Sequence, residues 1–337
     1  MTAVRLALVG AGGIAQTYLR LIASTRADEA TLAAVVDTDA AAADRAARPF
    51  DVPTFTDPDA MLDAVEPDAV IVCTPPDTHA SIASMALRRG ISTLCEKPLT
   101  LSSATAVELV RASRESGALL SMAAKFRFVA DVAEARRRLL AGEIGDAVQV
   151  ENTFASVVPM DQRWNSDRAR SGGGVIIDNG THSVDLVRWF AGPISEVMAM
   201  EGPRMQPVDV EDNATVLTRS EDGATGRIEL SWSLAIDEPW FLRVHGTDGA
   251  IDIGWRESRL RIDRGEWIRF GQGYDKLAAM GEQLRNFIAA SAGREPLAVG
   301  VDDALASVEV IEAAYRSLVT QTFVPIAPPA RRVELAS

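Results

Sequence analysis

The first third of the chain alternates short apolar runs with longer segments of helical period. Val4–Val9, Thr31–Val36, Ala69–Cys73, Ile91–Cys95 and Ala118–Met122 are apolar without strict alternation, as strands buried on both faces are. Between them, Ala40–Arg48, Asp57–Val65, Thr78–Arg89 and Ser102–Ser116 space their apolar residues as helices do, and Gly90 and Gly117 stand where C-terminal caps belong. A parallel sheet covered by helices on both faces is expected from this alternation.

The pattern changes near Phe126. Val129–Ala141 reads as a helix followed by Gly142, and a further helical segment lies around Gly180–Phe190. Strand signals then dominate at Glu196–Met200, Ala214–Thr218, Ala224–Leu234, Trp240–His245 and Ala250–Trp255, with turns at Asp222-Gly223 and Asp248-Gly249. From Gly226 to Leu234 apolar and polar residues alternate, so one face of that strand is buried and the other wetter. Two closing helices, Lys276–Ala292 and Asp302–Val319, flank the loop at Pro296. The chain is therefore expected to be α/β with two domains. Residues 1–123 form a doubly wound parallel sheet, and residues 124–337 an α+β domain with a mixed, partly antiparallel sheet and helices on one side.

A length of 337 residues suits two cores rather than one. The formal net charge of −13 argues against nucleic-acid or anionic-membrane partners, which need cationic patches. No stretch reaches the apolar length of a membrane span, and Met1-Thr2-Ala3 leads directly into the first strand without the features of a secretory signal. A cytoplasmic protein is expected. The two cysteines, Cys73 and Cys95, read as buried structural thiols, and no metal site is expected from them.

Candidate chemistry gathers at strand ends. After the first strand, Gly10-Ala11-Gly12-Gly13-Ile14-Ala15 opens a helix, the strand–turn–helix of a dinucleotide-binding unit. Gly10 permits the tight turn, Gly12 lets a pyrophosphate approach the backbone, and Ala15 allows close packing of helix on strand. The N–H groups and positive dipole end of the helix then hold the phosphates. Asp37 closes the second strand, 22 residues beyond Ala15, where a carboxylate binds the adenosine ribose hydroxyls. It would repel a 2′-phosphate, and no arginine follows in Asp37-Thr38-Asp39, so the cofactor reads as NAD rather than NADP. After the third strand, Thr74-Pro75-Pro76-Asp77-Thr78-His79 makes a rigid shelf for a flat ring or ribose, with Thr78 or Asp77 able to cap the following helix. His79 lies either near the cofactor or on the surface in the helix's first turn.

Glu96-Lys97-Pro98 follows the fourth strand. A lysine there can share a proton with a substrate hydroxyl beside bound NAD, and Pro98 immobilises the loop. In Gly172-Gly173-Gly174…Asp178…His182, a helical segment places Asp178 and His182 at i, i+4 on one face, where a carboxylate can orient an imidazole base. A capping aspartate plus a core histidine would give the same spacing.

Together, Gly10–Ala15, Glu96-Lys97-Pro98 and Asp178-x-Gly180-x-His182 resemble the Gfo/Idh/MocA oxidoreductases. The closing segment Ala304-Leu305-Ala306…Glu312-Ala313-Ala314-Tyr315-Arg316-Ser317 is similar as well, so the likeness spans nearly the whole chain. The resemblance implies a Rossmann domain, a second domain with a large open sheet, oxidation or reduction of a sugar or cyclitol, and a homodimer or homotetramer. It also implies Lys97, Asp178 and His182 as catalytic residues and Pro75, Pro76 and His79 as the cofactor loop. Lys125 and Arg127 stand where relatives place substrate contacts, and Trp164 could pack on a sugar's C–H face. For these last three, surface cations and a core tryptophan are the alternative. Two rival functions remain open: a glycoside-cleaving enzyme that recycles NAD through transient C3 oxidation, and a non-catalytic sugar- or NAD-sensing regulator.

Overall fold

The computed structural model of the chain describes residues 3–327. These divide into two compact units: the chain up to Ala123 with Met280–Leu305, and Ala124–Ala279 with the chain from Ala306.

The first unit holds six parallel strands, β1 (Val4–Val9), β2 (Ala30–Val36), β3 (Thr54–Phe55), β4 (Ala69–Val72), β5 (Ser92–Cys95) and β6 (Leu120–Met122). Their spatial order is β3-β2-β1-β4-β5-β6, with the order reversing beside β1, the arrangement that opens a ligand crevice at the strands' C-terminal ends. Leu8 pairs with Val35 on one side and Ile71 on the other. The helices have local causes. Asp39, Asp57 and Ser102 accept from the amides of Ala41, Asp59 and Thr105 and so cap Ala40–Ala47, Pro58–Val65 and Ser103–Ser116. Gly117 ends the last of these at φ +73°. The loop after β4 differs from expectation. Its helix starts at Pro76 rather than Thr78, with Pro75 as N-cap and no capping side chain, and Thr78 Oγ1 turns back to within 2.8 Å of Pro75 O.

Residues 124–337 were expected to form one domain, but Met280–Leu305 belongs to the first unit. The reason is burial. Met280, Leu284, Phe287 and Ile288, at helical spacing on Lys276–Ser291, enter the core that contains Leu6, Leu8, Tyr18, Leu19 and Ile22.

The second unit is built on nine strands: β7 (Ala147–Ala155), β8 (Ile194–Glu201), β9 (Asn213–Ser220), β10 (Thr225–Ser231), β11 (Trp240–Gly246), β12 (Gly249–Gly254), β13 (Ser258–Ile262), β14 (Ile268–Phe270) and β15 (Val324–Pro325). Their order is β14-β13-β12-β11-β7-β10-β9-β8-β15. Among the described residues only the β7–β10 pair of this sheet is parallel, so the sheet is mixed as expected. Its central strand, β7, was missed. The helix Val175–Ala191 packs across β7, β9 and β10. No helix among the described residues is long and apolar enough to cross a membrane.

Candidate active site

In the first unit the glycine turn has the shape expected. Gly10 adopts φ +94°, and a Cβ there would press on the Cys73 backbone at 2.8 Å. Its amide donates to Val36 O, and the Ala11 amide to Asp37 Oδ2 at 2.7 Å. The second Asp37 oxygen accepts from the Asp39 amide at 2.9 Å. A carboxylate has about four acceptor positions, so ribose hydroxyls still find lone pairs. The helix Gly13–Ser24 begins at Gly12 without a capping side chain, and Cβ atoms built on Gly12 and Gly13 meet nothing within 4 Å. Ile14 packs against the unit's core. Open space before an uncapped N-terminus, with Asp37 at the adjoining strand end, fits a dinucleotide.

The next two strand ends are tied together. His79 is fully buried and is neither a surface residue nor available to a ligand. Its Nδ1 lies 2.8 Å from Pro98 O and its Nε2 2.8 Å from Thr74 O, so the ring sits between the Thr74-Pro75-Pro76 shelf and the Lys97 loop and, when neutral, donates its one N–H to one of the two carbonyls. Burial pushes the imidazole below its ordinary value, against the pull of the two carbonyls and of Glu96 and Asp77. Glu96 is held from behind. Tyr18 Oη donates to it at 2.9 Å, and Gln283 Nε2 donates to Tyr18 Oη at 2.8 Å. The Lys97 amide donates to the other Glu96 oxygen at 3.3 Å. Burial, with Glu96 beside them, raises the Tyr18 phenol and the free thiols of Cys73 and Cys95, which keeps all three protonated. Tyr18 and Gln283 were not singled out in the sequence. Tyr18 stands at a buried position of the helix Gly13–Ser24.

In the second unit, Asp178 lies in the first turn of Val175–Ala191 and is half-buried, while His182 is buried one turn further on. Lys125, on the 3₁₀ turn Lys125–Phe128, places Nζ 3.4 Å from His182 Nε2 and 5.1 Å from the centre of the Phe126 ring. Phe126 meets the imidazole edge-on at 5.1 Å and stacks with Tyr274 at 5.1 Å. Beyond it lie Phe154, Phe241 and Trp255. The fold thus brings Lys125 to His182 and backs both with aromatic rings. It places Arg127 elsewhere. The Arg127 guanidinium is buried in a two-pronged pair with Asp185, at 2.8 and 2.6 Å, and lies over Trp189, so the expected contact with substrate is not met. Trp164 is 38% exposed on a 3₁₀ turn and is not a core residue.

The N-terminal stretch 4–124 matches the family model "Oxidoreductase family, NAD-binding Rossmann fold" and 132–252 matches "GFO/IDH/MocA C-terminal domain". The rhizopine catabolism protein MocA of Rhizobium meliloti is 30% identical over 322 residues, covering 94% of this chain and 96% of that protein. The chain belongs to the Gfo/Idh/MocA family. An inositol 2-dehydrogenase of Rhizobium meliloti (strain 1021) is 26% identical over 96% of this chain and 99% of its own length. Among solved structures, GenD2 from gentamicin A biosynthesis, in complex with NAD, superimposes with a TM-score of 0.86 at 28% identity, covering 97% of both chains. As in other members of the Gfo/Idh/MocA family, the first unit is an NAD-binding Rossmann domain.

Proposed function

We propose that this family member is an NAD-dependent dehydrogenase of a secondary alcohol in a sugar or cyclitol. Bound NAD supplies the hydride acceptor. Gly10, Gly12, Gly13 and Ile14 seat the pyrophosphate at the helix N-terminus, Asp37 takes the ribose hydroxyls and disfavours a 2′-phosphate, and Thr74, Pro75 and Pro76 form a shelf for the rest of the dinucleotide. His182 removes the hydroxyl proton, Asp178 one turn earlier orients the imidazole, and Lys97 is the catalytic lysine that the family resemblance implies. Glu96 and His79 hold the Lys97 loop without touching substrate, and Lys125 positions or polarises around His182.

The observation that carries this reading is the treatment of His182. The imidazole is buried against Phe126 with Lys125 3.4 Å from Nε2, on a helix that also carries Asp178. A core histidine with no task needs neither a lysine nor a carboxylate one turn away. Kinship with an inositol dehydrogenase and with an NAD-bound structure supports the substrate class and the cofactor. The test is a panel of inositols, aldoses and anhydrosugars, with NAD and NADP in parallel, followed by NADH absorbance. Stoichiometric NADH with one polyol is expected, and Lys97→Met should leave NAD binding intact while lowering turnover on the order of 10². Product formation without free NADH would point to cofactor recycling, and binding without turnover to a sensor.

A further inference from the structure

The glycines ahead of Val175–Ala191 are explained by two side chains from other segments of the same unit. Glu211, just before β9, is 1% exposed. Its Oε1 accepts from the amides of Gly174 at 2.9 Å and Ile176 at 3.1 Å and from Tyr315 Oη at 2.7 Å. Its main-chain carbonyl accepts from the Val175 amide at 2.9 Å. A helix leaves its first N–H groups without intrahelical acceptors, and here those of Gly174, Val175 and Ile176 all meet Glu211. Such closeness excludes side chains: a Cβ on Gly173 would strike Tyr315 Oη, and one on Gly174 would strike the Glu211 carbonyl. Asp178 is the first residue whose amide closes a bond within the helix, to Gly174 O at 3.0 Å.

We propose that Glu211, braced by Tyr315, is a positioning residue for the reaction. It fixes the rotation and depth of the turn that carries Asp178 and His182, and touches neither substrate nor cofactor. This rests on the reading that His182 handles the proton. Three features give it weight. The clamp holds the one turn between the glycines and Asp178, and it does so with a carboxylate, whose burial raises its proton affinity while four donors oppose that shift. A neutral cap would have served stability alone at less desolvation cost. The third is leverage: a displacement of about 1 Å at a proton-transfer group can cost a factor on the order of 10² in rate.

The experiment uses the full-length holoenzyme with the polyol found in the screen. Glu211→Gln keeps the volume but turns one acceptor into a donor, Tyr315→Phe removes only a hydroxyl, and His182→Asn removes the proton acceptor. The chain has 3 histidines, so ¹³C-labelled imidazole resonances can be followed individually without cofactor. Glu211→Gln is expected to lower kcat on the order of 10-fold to 10²-fold with KM for NAD little changed, and Tyr315→Phe to act in the same direction by less. Both should displace the titration midpoint of His182 while leaving those of His79 and His245 in place. Added to His182→Asn, Glu211→Gln should lower kcat no further. A lower melting temperature with unchanged kcat and an unchanged His182 midpoint would reduce Glu211 to a plain helix cap, and an additive loss on His182→Asn would place its effect elsewhere; either overturns the proposal. Should Glu211→Gln fail to fold, Tyr315→Phe carries the same readouts. Full turnover in His182→Asn would overturn the proton-transfer reading itself and the positioning role with it, whereas an inactive His182→Asn beside a silent Glu211→Gln overturns the positioning role alone.

Discussion

Two helices of this protein start at glycine runs, and their first turns are put to opposite uses. At Gly13–Ser24 no side chain caps the helix, and Cβ atoms on Gly12 and Gly13 would enter open space. At Val175–Ala191 the space beside Gly173 and Gly174 is filled by Tyr315 and Glu211. Each junction has its carboxylate. Asp37 bonds the Ala11 amide within the turn and leaves the helix end clear, whereas Glu211 bonds the helix end itself. Glycine serves close backbone approach in both. One approach is left open, which on the proposed function the phosphates of NAD would fill, and the other is taken by the protein. The same local signature thus gives an open helix start in one unit and, in the other, a mount whose Gly174, Val175 and Ile176 amides are engaged.

The sharpest way to break this contrast is to give each junction a methyl group. Gly174→Ala puts a carbon into the Glu211 main chain, which cannot swing aside as a side chain would. A loss of about 3 kcal/mol or more, read from urea unfolding, is expected. Gly12→Ala meets nothing, so its unfolding midpoint should stay near that of the parent while NAD affinity falls about tenfold, measured by calorimetry. Equal destabilisation by the two substitutions would mean that the junctions do not differ as described.

The first junction was legible in the sequence because everything that defines it is local: the strand, the glycines, the helix and the carboxylate at the end of the next strand. The second was legible only in part. The sequence places Asp178 and His182 on a helical segment, but Gly174 offers no capping side chain to mark its start, and what holds the start at Val175, Glu211 and Tyr315, arrives from 37 and more positions away. Strand β7 was missed although Val148-x-Val150-x-Asn152-x-Phe154 alternates. Asn152 sits on the buried side, where its Nδ2 donates to Phe241 O at 2.8 Å, and a polar residue there hides the period. The return of Met280–Leu305 to the first unit was not legible at all, since an apolar helix face does not name the core it will join. Arg127 was misread for a related reason: its partner Asp185 lies 58 positions on, and an isolated cation in sequence looks available.

The strand-end loops of the Rossmann unit sharpen the comparison from another side, because they are held by an imidazole rather than by a carboxylate. Burial holds His79 below its ordinary 6.5. With the folded value depressed, the unfolded chain binds the proton first as the pH drops. The stabilising contribution is therefore present above about pH 6.5 and is lost as pH falls through the folded value. Below pH 6.5 the melting temperature should fall with a slope that His79→Gln lacks, and at neutral pH that variant should be about 1 kcal/mol less stable through loss of the one hydrogen bond that the neutral ring donates. A slope that persists in His79→Gln would assign it to other groups, and the latch between the shelf and the Lys97 loop would lose its titratable member.

Smaller than the Gly174→Ala loss are the effects expected at the two tyrosines that brace carboxylates, Tyr18 behind Glu96 and Tyr315 behind Glu211. Each substitution by phenylalanine deletes one hydroxyl, yet the consequences should differ. Glu211 is 1% exposed, so water cannot readily replace the lost donor, and about 1.5–3 kcal/mol is expected, the range for a hydrogen bond to a buried charge. Glu96 is only half-buried and can be rehydrated, so Tyr18→Phe should cost about 1 kcal/mol, most of it from the Gln283 amide left facing a ring edge. Paired chemical denaturation of the two variants measures the difference. If Tyr18→Phe proves the more damaging, Glu96 is shielded from solvent more completely than its exposure states. The Rossmann unit would then carry a sealed carboxylate of its own, and the division between an open junction and a closed one would no longer follow the division between the two units.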